Sequence, residues 1–305
     1  MKCSKCGFEN LDNSKFCCQC GEKMEVSNVC PKCGTTFPSY GRFCPNCGTQ
    51  VRVEQNDTDR MSGRDIGPEE LEFIVGSCRF KMIRVDGGTF TMGATAEQGG
   101  GSEKWERPTH QVTLSDYYIG QTEVTQALWE AVMGTNPSFF KGDNLPVEKV
   151  SWGDCKNFIS KLNSLLSSQL GGKRFALPTE AQWEYAARGG NKSQGYKYAG
   201  SNNIYGVAWF DDNSGGYTYP VAQKKPNELG LYDMSGNVDE WCEDRFDGYS
   251  RNAQTNPQGP AGGVARVYRG GSFYDRAGSC RVSRRGCITQ DLRFISIGLR
   301  LCLLP

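Results

Sequence analysis

The chain has 305 residues, 37% hydrophobic and 23% charged, with a net charge of +1; this suits a globular protein of one large and one small domain and supplies no global field toward nucleic acid or membrane. No apolar run is long enough to span a bilayer, and the opening MKCSKCGFEN lacks the apolar core of a secretory signal. The single histidine, His110, excludes three-histidine metal sites within the chain, while 38 Gly and 13 Pro predict a fold rich in turns and loops.

The N-terminus carries four Cys-x-x-Cys pairs, Cys3/Cys6, Cys17/Cys20, Cys30/Cys33 and Cys44/Cys47, each followed by a glycine. Such a turn aims two thiolates at one point, and the glycine lets backbone N–H groups face the sulfurs. Two turns make a closed tetrahedral site, and the unit occurs in tandem. Residues 1–50 therefore resemble a double zinc ribbon, with two structural Zn2+ ions on these eight cysteines. The competing reading is a disulfide framework, which a secreted protein would need. Cys18 is left as a spare thiol. The ribbons are expected to dock another protein, because their Lys and Arg are diluted by Glu9, Asp12, Glu22 and Glu25. Nucleic acid and membrane partners are not expected, and zinc-bound thiolates call for the reducing cytoplasm of a bacterial or phage-infected cell.

Residues 51–77 read as a polar linker, with a possible short helix from Pro68. From Phe80, alternation around Gly87-Gly88 predicts a hairpin, and 95–108 a Gly-rich loop. A strand is expected over 111–119 and an amphipathic helix over 122–133, with Val124, Ala127, Leu128, Ala131 and Val132 on one face. A second helix is expected over 151–166, with Ser151 as N-cap and Cys155, Phe158, Ile159, Leu162 and Leu166 as its buried stripe. Thr179 and Gln182 mark a capping box for a short third stretch.

Over 78–305 the ordered motifs TFTMGA, Glu106-x-Pro108-x-His110, LPTEAQWEYAARGG, GLYDMSGNVDEW, Arg269-Gly-Gly-Ser and Gly298-Leu-Arg300 resemble the formylglycine-generating, sulfatase-modifying-factor domain. The resemblance implies an α+β fold of the C-type-lectin kind, loop-rich, with short strands and two main helices. In that family two cysteines after the Gly-Gly-Ser turn bind copper and oxidise a substrate cysteine. The second corresponds to Cys280, but the first falls on Asp275, and a carboxylate is too hard a ligand to complete a two-thiolate Cu(I) site. Copper is not expected, and Cys280 reads as a packed thiol beside Arg281. The resemblance also implies a Ca2+ site at Asp233, Gly236, Val238 and Glu240, with a solvated acidic turn as the alternative.

Residues 269–300 combine a regular frame (Gly270, Gly271, Ser272, Cys280, Arg281, Arg293, Ile297, Gly298, Arg300) with an irregular filling. This resembles the variable proteins of diversity-generating retroelements, in which an error-prone reverse transcriptase rewrites adenines in asparagine codons. The positions where such codons would fall are Tyr274, Asp275, Arg276, Ser279, Arg284, Gly286, Cys287, Ile288, Leu292, Phe294, Ile295 and Ser296, and every residue there is reachable from asparagine by adenine changes. The resemblance implies a non-catalytic surface that binds a protein ligand. The alternatives are that Ile288, Leu292, Phe294 and Ile295 are ordinary core, that the chain is a divergent oxidase, or that it is a regulatory scaffold in signalling or defence.

Overall fold

The computed structural model describes residues 20, 27–29, 32–38, 46–47, 67–99 and 104–305. The chain divides into two compact units, Met1–Ile66 and Gly67–Pro305. In the first, strands β1 (Ser27–Val29) and β2 (Thr36–Pro38) form an antiparallel pair.

The second unit opens with strand β3 (Glu70–Val75), hairpinned onto β4 (Cys78–Val85). The expected helix from Pro68 is therefore a strand. Phe73 and Val75 are buried while Ile74 between them faces out, so burial follows the period of two that a half-buried strand requires.

β5 (Gly88–Met92), β6 (His110–Leu114) and β7 (Tyr117–Gly120) follow. Gly87-Gly88 does not turn a hairpin. β4 belongs to a five-stranded sheet and β5 to a three-stranded one. Gly87 is needed at the crossing because a Cβ there would lie 2.3 Å from the Leu114 carbonyl oxygen. The single strand expected over 111–119 likewise breaks in two, with β6 and β7 in different sheets. At the break the Ser115 N–H donates to the Asn256 side chain at 2.9 Å, which removes it from the ladder.

Helix α1 (Gln126–Met133) starts later than periodicity suggests, capped by Thr125. Glu123 lies outside it, with its carboxylate accepting from the Val238 N–H and the Asn237 amide. α2 (Trp152–Leu165) has a reciprocal capping box between Ser151 and Asp154 and buries Cys155, Phe158, Ile159 and Leu162. Burial also pushes the Cys155 thiol well up, so it is inert core. Trp129 of α1 stacks on Phe158 of α2 at 4.8 Å.

β8 (Arg174–Ala176) leads to α3 (Glu180–Ala187), capped by Thr179 and Gln182 and buried along its whole length. A one-turn helix, α4 (Asp211–Ser214), precedes β9 (Asp239–Arg245), β10 (Gln254–Thr255) and β11 (Ala265–Arg269). The chain closes with β12 (Arg285–Thr289), β13 (Ile297–Gly298) and β14 (Cys302–Leu304). The C-terminal segment is held in a four-stranded sheet of order β12-β11-β9-β13, and β14 sits between β7 and β8 in the five-stranded sheet. This is the mixed helix-and-sheet architecture expected. Among the described residues no helix is long and apolar enough to cross a membrane.

Candidate ligand-binding surface

The segment begins where β11 ends. Gly270 and Gly271 both have positive φ, 105° and 72°, and a Cβ on Gly271 would press on the Cys280 sulfur at 2.9 Å. This turn therefore needs glycine for conformation and for space. The Gly271 N–H donates to Asp239 at 3.1 Å, and the Ser272 N–H and hydroxyl donate to one oxygen of Asp275 at 3.0 and 2.5 Å. Asp275 thus braces its own turn.

Cys280 is fully buried, and burial, with Asp275 and Asp239 nearby, pushes its thiol well above the usual range. A buried thiol opposite an internally bonded carboxylate is a poor donor set for Cu(I), which favours two soft thiolates.

The frame and the candidate positions separate by burial. Gly270, Gly271, Ser272, Cys280, Arg281, Ile297, Gly298 and Arg300 are buried; Arg293 alone is exposed, paired with Asp154 of α2 at 2.6 Å. Of the candidates, Tyr274, Arg276, Leu292, Phe294 and Ile295 are exposed, and Asp275, Ser279, Arg284, Cys287, Ile288 and Ser296 are half-buried. Tyr274 is 74% exposed and Phe294 48%, which removes Leu292, Phe294 and Ile295 from the core. Two positions depart from the pattern. Ile288 packs against the edge of the main core. Gly286 is buried, and a Cβ there would fall 2.2 Å from the Tyr268 ring across the β11–β12 pair.

Buried arginines anchor the frame. Arg281 meets Glu106, Arg300 meets Glu240, Arg269 meets Glu184, and Arg285 meets Glu180. Arg300 donates to both Glu240 oxygens at 2.6–3.0 Å. Such pairs hold the backbone of the segment from beneath.

Asp239 ties the two ends of the segment together. Its carboxylate accepts from Gly271, and its N–H donates to the Ser296 carbonyl at 2.8 Å. Asp275, Ser279, Arg284 and Gly286 line one small depression beside it. Burial and the neighbouring Asp275 hold the Asp239 carboxyl well above its ordinary range. An aromatic chain extends this surface beyond the segment. Tyr274 contacts buried Phe273, which meets Phe140 edge-on, and Phe140 contacts both Phe139 and Tyr217. Phe139 and Tyr217 are about as exposed as Tyr274, at 62% and 61%. Sequence reasoning missed both; the Phe139-Phe140 pair in a non-periodic stretch was the available signal.

At the Asp233 turn the donor set fits Ca2+ only in part. One Asp233 oxygen accepts from the Ala222 N–H at 2.7 Å, and the other is buried without a hydrogen-bond partner among the described residues. Glu240, however, is already neutralised by Arg300 and also accepts from the Trp183 indole at 2.6 Å. In the N-terminal unit only Cys20, Cys33 and Cys47 of the eight candidate zinc ligands are described; Cys3, Cys6, Cys17, Cys30 and Cys44 lie outside the described residues. The Asn46 amide donates to the Cys33 sulfur at 3.8 Å, the kind of outer support that thiolate ligands receive.

The model of the sulfatase-modifying factor enzyme 1-like domain matches residues 77–303, and that of the double zinc ribbon matches residues 3–48. The chain is 36% identical over 250 residues to the chaperone protein LppX of Paenibacillus barcinonensis, covering 67% of this chain and 82% of that one. It is 30% identical over 287 residues to the formylglycine-generating enzyme of Streptomyces coelicolor, covering 72% and 87%. Among solved structures, Treponema denticola variable protein 1 superposes with a TM-score of 0.71 at 34% identity, over 78% of this chain and all of that one. PvdO of Pseudomonas aeruginosa shares the fold, with a TM-score of 0.64 at 24% identity over 78% of this chain and 99% of that one.

Proposed function

The chain belongs to the sulfatase-modifying factor enzyme 1-like family, and from that premise we propose that it is a non-catalytic binding member, a variable protein displaying a diversified C-terminal surface to a protein ligand. The observation that carries this reading is the partition of 269–300 into a buried frame and outward candidate side chains. Loops on a rigid scaffold can change without unfolding it. Tyr274 and Phe294 supply apolar anchors, and Arg276, Arg284 and Asp275 supply charge complementarity. The likeness to the Treponema denticola variable protein supports the reading. The N-terminal cysteines would hold two Zn2+ ions in a module that docks a second protein, in a bacterial cytoplasm.

Population sequencing of the gene tests the proposal. Substitutions should concentrate in the codons of the candidate residues other than the sterically closed Gly286, at adenines of a nearby template repeat. Substitutions spread evenly over frame and candidate codons would sink it.

The second reading is a divergent formylglycine-generating oxidase, favoured by the identity to such enzymes. It requires Cu(I) at Cys280. The ribbon thiols also bind Cu(I), so the informative quantity is the difference in copper stoichiometry between the full chain and Cys280→Ser. The binding reading expects no difference.

A further inference from the structure

Two arginines face each other in the four-stranded sheet. Arg245, the last residue of β9, is the register partner of Arg266 in β11. Directly opposed residues of an antiparallel pair share one face, with their Cβ atoms about 5 Å apart, and like charges there repel. Such a pair needs a counter-charge, and neither neighbouring strand supplies one. On the other side of Arg266, β12 places Ile288. Glu243 shares the face of Arg245, but both of its oxygens accept from Lys156 of α2, at 3.0 and 2.8 Å. Asp244 points to the opposite face, where it accepts from the Glu180 N–H at 2.8 Å.

Neutral acceptors hold the two guanidinium groups instead. Arg266 donates to the Glu243 carbonyl at 2.7 Å and to the Gln290 amide oxygen at 3.4 Å, and lies 3.7 Å from the centre of the Trp152 ring. Arg245 donates through Nη1 to the Ala261 carbonyl at 2.7 Å. Its Nε is buried without a hydrogen-bond partner, and Nη2 of each arginine makes no hydrogen bond among the described residues. The capacity left over is therefore donor capacity, on two cations. Arg266 is only 8% exposed. Burial and the charge of Arg245 lower its pKa from the ordinary arginine value, against the opposing pull of Glu243 and Asp244. Lys156, 5.2 Å from the same Trp152 ring, adds a third cation. Arg245, Lys156 and Glu243 are half-buried, so the cluster opens to solvent along this rim.

We propose that Arg245 and Arg266 bind a dianionic oxyanion of the phosphate type, free or as a monoester, on their uncommitted N–H groups. Guanidinium N–H groups match the oxygen spacing of such an anion. A dianion cancels both opposed charges, where a monoanion leaves one uncompensated. None of the twelve candidate residues supplies a donor, and the site does not depend on diversification of 269–300.

Inorganic phosphate, titrated calorimetrically into the full chain in chloride buffer, should saturate at one site at millimolar concentration. Sulfate should compete with it and acetate should not. Phenyl phosphate separates the sources: it should bind more tightly than inorganic phosphate if the natural group is esterified, and more weakly if it is a free ion. Saturating phosphate should raise the melting temperature of the larger unit by about 3 °C over chloride of equal ionic strength. Arg245→Gln should weaken phosphate at least about tenfold and abolish that rise. In chloride alone the same variant should melt no lower than the unaltered chain, because the opposed charge is gone. The competition series on the unaltered chain decides the matter should that variant fail to fold. No saturation by millimolar phosphate, acetate binding as tightly as phosphate, an unchanged affinity in a folded Arg245→Gln, or an equal rise in melting for both chains would each overturn the proposal.

Discussion

Arg281 reaches back across the domain to Glu106, with its two terminal nitrogens 2.8 and 2.7 Å from the two carboxylate oxygens and both side chains buried. The hydroxyl of Ser283 donates to the same carboxylate at 2.6 Å. The residue that follows Cys280 in the C-terminal segment is thereby fastened to the loop that precedes β6. Side chains seven residues away, Tyr274 on one side and Ile288 on the other, are exposed and half-buried.

That contrast predicts two distinct mutational responses. Arg281→Ala removes the bidentate guanidinium partner of the buried Glu106 carboxylate, and should cost about 3–5 kcal/mol of stability in urea denaturation. Tyr274→Ala and Phe294→Ala remove exposed side chains and should change stability by about 0.5 kcal/mol or less. If the surface binds a protein, the same two changes should weaken that complex by about 2 kcal/mol each.

Glu148 predicts a pH dependence. One of its oxygens accepts from the Phe139 and Phe140 N–H groups at 2.5 and 2.9 Å, and the other is buried without a hydrogen-bond partner among the described residues. Burial raises its carboxyl from 4.5 to about 7. The folded protein keeps a proton there that the unfolded chain releases, so stability falls as pH rises from about 4.5 to about 7 and is level above that. Asp233, raised to about 6, and Asp244, raised to about 7, act in the same direction. Glu148→Gln should therefore reduce the slope of stability against pH by up to about 1.4 kcal/mol per unit, measured as denaturation midpoints across that range. An unchanged slope would show that Glu148 is already ionised in the fold.

Metal content checks the N-terminal unit. The purified chain should carry about two zinc ions by elemental analysis. Cys33→Ser should lower that to about one, because the paired ribbon keeps its own four ligands. Retention of full zinc by Cys33→Ser would remove Cys33 from the ligand set.

Calcium is expected to bind weakly. Asp233 offers one uncommitted oxygen at its turn, while Glu240 is held by Arg300. An affinity in the range of about 10⁻⁴–10⁻³ M follows from so few free anionic donors. Thermal melting with and without millimolar Ca2+ reads it out, and Asp233→Ala should abolish any rise.

Much of this organisation was legible in the residues because it rests on local chemistry. The Ser151/Asp154 and Thr179/Gln182 capping boxes stand where their spacing placed them, since a cap satisfies backbone groups within one helical turn. The buried stripe of α2 follows from the helical period. The Gly-Gly-Ser turn, the Asp275 substitution and the ordered family motifs were equally visible. The segments from Pro68 and around Gly87 were misread, because which strands pair is decided by partners far away in the chain. β4 pairs with β3 and β7, and β5 with β6.

By itself, then, the sequence determined the family, the helices with their caps and the Gly-Gly-Ser turn with its following Asp275, all of which depend on residue types at short spacing. Only the tertiary structure decided which side of 269–300 faces out, that Phe139 and Tyr217 flank it, and that Arg245 and Arg266 stand opposite each other on neighbouring strands. Exposure and long-range pairing come from how three sheets close over three buried clusters, and no local pattern encodes that closure.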